Sequence, residues 1–292
     1  MPHKMQNSPM SLIKLIRPKH WLKNVFVALA LVFSRRFFPY EITMTLLGFL
    51  SFSLIASAVY IFNDLMDAPQ DRLHKVKKNR PIASGAVTPL CAYILLAVLG
   101  VAAFAIDFIF FRSPWSLLLL ASYFALNCGY SLKWKHVPIL DVTILSSGFM
   151  LRMFYGALII DSPISDWLYL TVLSMSFFMS LGKRRNEILK FGENAGKVRK
   201  VLQFYSAGFL DKNMYVCLSL TNVFYALWAI HMSETEGPLF IWTAPIVLII
   251  CMRYSLLTEK SEFADPVDIL LHDKALLGMI LCYGGIMAGL LI

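Results

Sequence analysis

Asp64, Asp67 and Asp71 recur at spacings of three and four, so on a helix of about 3.6 residues per turn they share one face. Carboxylates this close repel one another, and at a membrane boundary such a cluster is costly unless a cation neutralises it. All-oxygen donors suit magnesium, which commonly joins one or two carboxylates to the phosphates of a substrate. Arg72, His74, Lys75, Lys77, Lys78 and Arg80 follow at once, then "RPIASG", in which Pro81 and Gly85 mark a turn. Lys and Arg bind phosphate through charge-assisted bonds. Acids for a metal beside cations for phosphate oxygens are what a magnesium diphosphate requires, and Lys77 and Arg80 are the basic candidates. Pro69 removes a backbone bond and disfavours helical geometry at Ala68. A kink is expected there, turning Asp71 either toward the same ion or away from it. A solvated acidic loop is the competing interpretation.

Three further groups carry candidate residues. "IRPKHWLKN" near the start holds Arg17, Lys23 and Asn24, which line a phosphate site unless the segment, with Trp21, is an interfacial belt. "GYSLKWKHVPILDV" places Tyr130, Lys133, Lys135 and His136 in a turn and Asp141 in the apolar run that follows. Asp141 and Arg152 are three helical turns apart on nearly the same face. Ionisable residues within spans are functional candidates, the alternative being an ion pair or a helix-to-helix tie. "SLGKRRNE" adds Lys183, Arg184 and Arg185. Three successive cations fan out around a helix, so at least one faces the interior, where a second anionic group could sit.

Helices must carry these residues. The chain has 292 residues, 58% hydrophobic and 14% aromatic, with mean hydropathy +0.64, whereas a soluble domain is roughly 45–50% apolar and about 25% charged. Runs near the ~20 residues that cross a bilayer recur at 22–38, 44–63, 90–108, 114–130, 138–160, 166–182, 213–231, 239–257 and 273–291. The chain therefore reads as an all-α polytopic membrane bundle of about nine spans. No Gly/Ser-rich linker divides it, so residues 1–292 form one expected domain. The polar stretches 64–88 and 183–212 are longer than usual bundle connections, and long loops in compact folds tend to be functional. Their similar beginnings hint at a weak internal repeat.

Most Lys and Arg fall on alternate connections: before the first span and after the second, fourth, sixth and eighth. The positive-inside rule makes those connections and the N-terminus cytoplasmic. The net charge of +9 is thus a matter of topology. A nucleic-acid footprint would need a basic face on a soluble fold, so no nucleic-acid partner is expected. The five cysteines all lie in predicted spans without metal-ligand spacing, and no cleavable signal peptide is evident.

Taken together, "RPKHWLKN", "NDLMDAPQDRLHKVKKNRPIASG" and "SLGKRRNE" resemble the UbiA-type intramembrane prenyltransferase superfamily, and within it most closely the decaprenyl-phosphate phosphoribosyltransferases. The superfamily pattern NDxxDxxxD matches Asn63, Asp64, Asp67 and Asp71, and implies that these four hold Mg2+. Aromatic prenyltransferases of the superfamily carry a second aspartate-rich motif after the sixth helix. Here Lys183, Arg184 and Arg185 stand in that region, with Glu187 as its acid. The resemblance implies transfer of phosphoribose from phosphoribosyl diphosphate to a polyprenyl phosphate, at the cytoplasmic face of a prokaryotic plasma membrane. In that reading Lys77, Arg80, Arg17 and Lys23 neutralise the donor, while Lys183, Arg184 and Arg185 position the acceptor. Tyr130, Lys133, Asp141 and Arg152 are further substrate-binding candidates, and a homo-oligomer is left open. The rival within the superfamily moves an isoprenoid from its diphosphate to an aromatic acceptor, and a secondary transporter is the rival of another class.

Overall fold

The computed structural model describes residues 7–73, 76–260 and 265–291, without the side chains of Lys197 and Lys260. His74 and Lys75 of the basic run lie outside the described residues. All regular structure among the described residues is helical: α1 Pro9–Ile16, α2 Leu29–Phe33, α3 Pro39–Leu73, α4 Pro89–Ile106, α5 Pro114–Leu132, α6 Leu140–Ile159, α7 Asp166–Phe191, α8 Ala195–Val198, α9 Ala207–Thr235, α10 Thr243–Lys260, α11 Pro266–His272 and α12 Lys274–Leu291. Several start at proline, whose missing N–H is harmless in a first turn. Side-chain caps from Ser8, Thr88, Ser206 and Asp265 define the starts of α1, α4, α9 and α11.

Seven helices among the described residues are long and apolar enough to cross a membrane: α3, α4 with its π-helical extension to Phe111, α5, α6, α9, the helix of α10 with its preceding turn, and α12. The chain is a multi-pass membrane protein. Of the other two expected spans, 166–182 lies within α7, which is 26 residues long but carries a polar end. Residues 22–38 are not one α-helix: a 3-10 segment, Pro18–Ala28, leads into the five-residue α2. The reason is tertiary. Asn24 in this segment is fully buried and bonds to Ser53 and Arg152, so its backbone follows those partners rather than helical propensity.

The chain forms two compact units, one of residues up to 31, 36–135 and 151–162, the other of 32–35, 136–150 and 163–292. In the first, α3 packs against α1, α4, α5 and the 3-10 segment. Leu15, Ala58, Ile61, Ala68, Ile82, Val87 and Ala92 share its core. Ile82 and Val87 anchor the turn after α3, and Gly85 supplies the left-handed residue at φ 75 that this turn requires. Ala86 O accepts from Asn7 N, and Asn7 Oδ1 accepts from Thr88 N at 2.9 Å, which clasps the turn to the N-terminal segment. In the second unit α7 packs along α9 and against α10. Tyr225, Trp228, Phe240 and Met287 form a core there.

Gly156 of α6 lies against the 3-10 segment so closely that a Cβ would sit 1.9 Å from Val27 O. That neighbour is backbone and cannot swing aside. Gly156→Ala is therefore expected to lower stability by about 1–3 kcal/mol through overpacking, seen as a lower midpoint of thermal unfolding in detergent.

Arg35, Arg36 and Arg112, which fall on the connections poor in basic residues, serve helix ends. Arg35 Nε donates to Leu291 O at 2.7 Å, Arg36 to Asp161 O at 2.9 Å and Arg112 Nε to Ile109 O at 3.2 Å. Cations at helix C-termini complement the macrodipole.

Candidate active site

The three aspartates all lie on α3, which runs through Pro69 without a break to Leu73. Asp64 is 1% exposed and Asp71 3%. Arg17 Nη2 donates to both oxygens of Asp64, at 2.6 and 2.8 Å. Arg80 Nη1 reaches Asp64 Oδ1 at 3.0 Å and Asp71 Oδ2 at 2.7 Å. One guanidinium thus bridges the first and third acids, so Pro69 does not remove Asp71 from the cluster. Lys135 Nζ donates to Asp67 Oδ1 at 2.6 Å. Asn63 Oδ1 accepts from Ser131 Oγ at 3.0 Å.

Local structure explains these positions. Arg17 ends α1 in the left-handed region, φ 56, because Pro18 forbids further helix, and its guanidinium lies 5.2 Å from the Tyr60 ring centroid. Arg80 caps the short 3-10 turn Lys77–Asn79, its N–H donating to Lys77 O at 2.9 Å. Lys77 and Tyr130 are half-buried, and Lys133 is exposed at the end of α5. Of the two lysines in the α5–α6 turn it is Lys135, not Lys133, that reaches the aspartate helix.

Asn24 and Arg152 belong to a buried tie. Arg152 Nε donates to Asn24 Oδ1 at 2.7 Å and Nη2 to Tyr123 Oη at 2.9 Å, with the guanidinium 4.9 Å from the Phe52 ring centroid. Asn24 Nδ2 donates to Ser53 Oγ at 2.9 Å. These contacts hold the 3-10 segment, α3, α5 and α6 together. Lys23 next to Asn24 is half-buried.

Asp141 and Arg152 take separate partners. Asp141 is fully buried; its Oδ2 accepts from Arg184 Nε at 2.6 Å and its Oδ1 from Tyr205 Oη at 2.6 Å. Arg184, also fully buried, donates to Glu187 Oε2 at 2.8 Å. The expectation that one cation of "KRR" turns inward holds for Arg184, and the anions it meets inside are protein carboxylates. Arg185 pairs with Asp211 and, at 3.6 Å, with Glu259, while Lys183 is half-buried. Tyr205 gave no sequence signal, because the 192–206 stretch has no period that fixes a direction.

Burial alone would raise the Glu187 carboxyl, but Arg184, Arg199 and Lys183 bring it down to about 2. Burial, and then donation to Asp141, pushes the Tyr205 hydroxyl up, so it stays a donor. The folded-state value of Glu187 lies below its ordinary 4.5. Its contribution to stability is therefore complete above the ordinary value and is lost as pH falls toward the folded one. Thermal midpoints measured across that interval should fall more steeply for the natural chain than for Glu187→Gln.

The UbiA prenyltransferase family model matches residues 24–267. The chain belongs to this family. Relatives within reach include the decaprenyl-phosphate phosphoribosyltransferase of Corynebacterium glutamicum, 32% identical over 91% of this chain and 82% of that one. The enzyme of the same name from Mycolicibacterium smegmatis is 31% identical over 96% of this chain and 92% of that one. Among solved structures, a UbiA homolog from Archaeoglobus fulgidus bound to GPP and Mg2+ matches with TM-score 0.72, at 18% identity, over 95% of this chain and 99% of that one. The all-α UbiA fold therefore carries α3 and its aspartates.

The donor chemistry of the UbiA aspartate helix fits magnesium. Among the described residues no three His, Cys, Asp or Glu side chains close into a metal cage. What α3 offers is hard carboxylate oxygens along one face, each beside a cation able to meet phosphate. Magnesium suits such a half-site because it keeps most ligands from water and substrate phosphates and takes one or two carboxylates from protein.

Proposed function

We propose that the protein transfers 5-phosphoribose from phosphoribosyl diphosphate to a polyprenyl phosphate of decaprenyl type. Diphosphate is released, and the product is a lipid-linked phosphoribose, a precursor of lipid-linked arabinose. Residues 1–292 act as one transferase in a prokaryotic plasma membrane, with the N-terminus and the reaction on the cytoplasmic side. One observation carries the choice within the family. The end of α7 carries Lys183, Arg184 and Arg185, with Arg184 turned inward onto Asp141 and Glu187, where a prenyl-to-aromatic transferase carries a second acidic cluster. The long matches to relatives named for phosphoribosyl transfer support the same reading.

Both substrates are anions, so the chain's task is to bring them together. Asp64, Asp67 and Asp71, with Asn63, would hold Mg2+, which when bound neutralises charge on the leaving diphosphate. Arg17 and Arg80, 20% and 25% exposed, turn from Asp64 to the diphosphate oxygens, and Lys77 and Lys23 add positive charge. Lys135 on Asp67 completes the cationic wall. The bond from ribose C1 to the diphosphate oxygen breaks with its electron pair leaving on diphosphate. An oxygen of the acceptor phosphate bonds to C1 from the opposite face and inverts it. The nucleophile is already anionic, so no base is needed, and positioning with electrostatics supplies most of the catalysis.

Purified protein in lipid discs, given phosphoribosyl diphosphate and polyprenyl phosphate, should release diphosphate only with the lipid present. Chelation with EDTA is expected to stop the release, and excess Mg2+ to restore it. Full turnover in EDTA would sink the metal assignment. Turnover with a prenyl diphosphate and an aromatic acceptor, and none with phosphoribosyl diphosphate, would move the protein to the rival reading.

A further inference from the structure

We infer that Tyr205 is a positioning residue for the donor site: its hydroxyl holds a strained turn in the conformation that delivers Lys135 to Asp67. The inference rests on the function proposed above, in that Lys135 serves the donor diphosphate.

Ile139 has φ 67. A β-branched residue adopts that left-handed conformation only under constraint, since its side chain crowds the backbone there. The constraint is visible. Ile139 N donates to Tyr205 Oη at 2.6 Å. Tyr205 Oη in turn donates to Asp141 Oδ1 at 2.6 Å, and Asp141 is itself fixed by Arg184 at 2.6 Å. The hydroxyl therefore accepts once and donates once, with both partners held by buried or backbone groups. Glu187 braces Arg184, and Arg199 approaches Glu187 at 3.4 Å, so the stretch carrying Tyr205 is tied to α7 at a second point.

The strained residue lies four positions after Lys135 in the same short connection, made of the 3-10 turn Trp134–His136, then Val137 and Pro138. Pro138 fixes its own φ, so this connection has little slack to absorb a change at Ile139. Strain of this kind persists where surrounding structure over-determines it, and it gathers at functional sites. Without the hydroxyl, the Ile139 amide loses its acceptor and the left-handed conformation loses its support. The connection then relaxes, and Lys135 no longer meets Asp67 at the same angle. Packing of the ring is a separate matter. Tyr205 is 7% exposed and stacks on Phe209 at 6.0 Å between centroids, contacts that phenylalanine keeps.

The test uses the full chain in lipid discs with Tyr205→Phe, Lys135→Met, the two combined, and Tyr205→Phe with Ile139→Asn. Initial rates are measured while donor and acceptor are varied in turn. Tyr205→Phe should raise the donor KM about five- to tenfold and leave the acceptor KM within about twofold, the range expected of one coupled contact. The Tyr205→Phe/Lys135→Met pair should be no worse than Lys135→Met alone, because the hydroxyl acts through the lysine. Asparagine tolerates the left-handed region, so Ile139→Asn should restore most of the donor KM in the Tyr205→Phe background. Multiplicative losses in the double variant, an equal rise in acceptor KM, an unchanged donor KM, or loss of the cooperative thermal transition in Tyr205→Phe would each overturn the inference. Failure of the natural chain to form any phosphoribosyl lipid would instead overturn the functional reading on which it rests.

Discussion

Asp64→Asn is expected to reduce lipid-linked phosphoribose formation on the order of 100- to 1000-fold, the scale of removing one preorganised electrostatic element from a reaction centre. Asp64 is the acid that two arginines share, Arg17 at 2.6 Å and Arg80 at 3.0 Å, and it is almost wholly buried. Asparagine is nearly isosteric but removes the negative charge that attracts both guanidinium groups and the donor's cation. Because Arg17 and Arg80 remain partly exposed, the uncompensated charge is solvated. The cost in stability should therefore stay near that of a surface pair, about 1 kcal/mol. An unfolding midpoint lowered by no more than about a few degrees, with lost turnover, is the predicted pattern. Asp67→Asn should cost less activity, because Asp67 is 20% exposed and, among the described residues, pairs with Lys135 alone.

The largest effect on stability is expected at Arg184. Arg184→Met leaves the fully buried Asp141 and the mostly buried Glu187 without their shared cation. Breaking a buried pair by removing one member typically costs about 3–5 kcal/mol, because a charge is left uncompensated in a poor solvent. Replacing the whole set, Asp141→Asn with Arg184→Met and Glu187→Gln, should recover much of that loss, since the three buried charges go together and Arg199, which loses Glu187, is 22% exposed and solvated. The neighbouring Arg185→Met gives the contrast. Its partners Asp211 and Glu259 are 30% and 59% exposed, so the expected change is within about 1 kcal/mol. Thermal unfolding of the variants side by side in one detergent measures all three. Equal destabilisation by Arg184→Met and Arg185→Met would contradict the account.

The helices and the acidic face were legible in the sequence because both rest on periodicity. Asp64, Asp67 and Asp71 had to share a face once α3 formed, and the spans follow from runs of apolar residues. Arg17 and Arg80 were legible by charge type, though not their common partner. What could not be read were contacts that depend on loop direction. Lys133 and Lys135 are equivalent in a sequence; a 3-10 turn, and not an α-helix, sends Lys135 to Asp67 and leaves Lys133 exposed. Asp141 and Arg152 fall close together on a helical wheel, yet Tyr205 and Arg184 occupy both oxygens of the acid, while Asn24 and Tyr123 hold the arginine. The first apolar run misled for a related reason. Hydropathy marks residues 22–38 as a helix, whereas the buried amide of Asn24 has two long-range partners that a local pattern does not register.

Ribose, and not an isoprenoid, is expected to cross to the acceptor. Phosphoribosyl diphosphate labelled separately in the ribose and in the β-phosphate, incubated with polyprenyl phosphate, Mg2+ and the purified chain, tests it in one separation. The ribose label is expected to enter the organic phase with the lipid, and the β-phosphate label to stay in water as diphosphate. Ribose label confined to the aqueous phase, while an isoprenoid from a prenyl diphosphate appears on an aromatic acceptor, would contradict it.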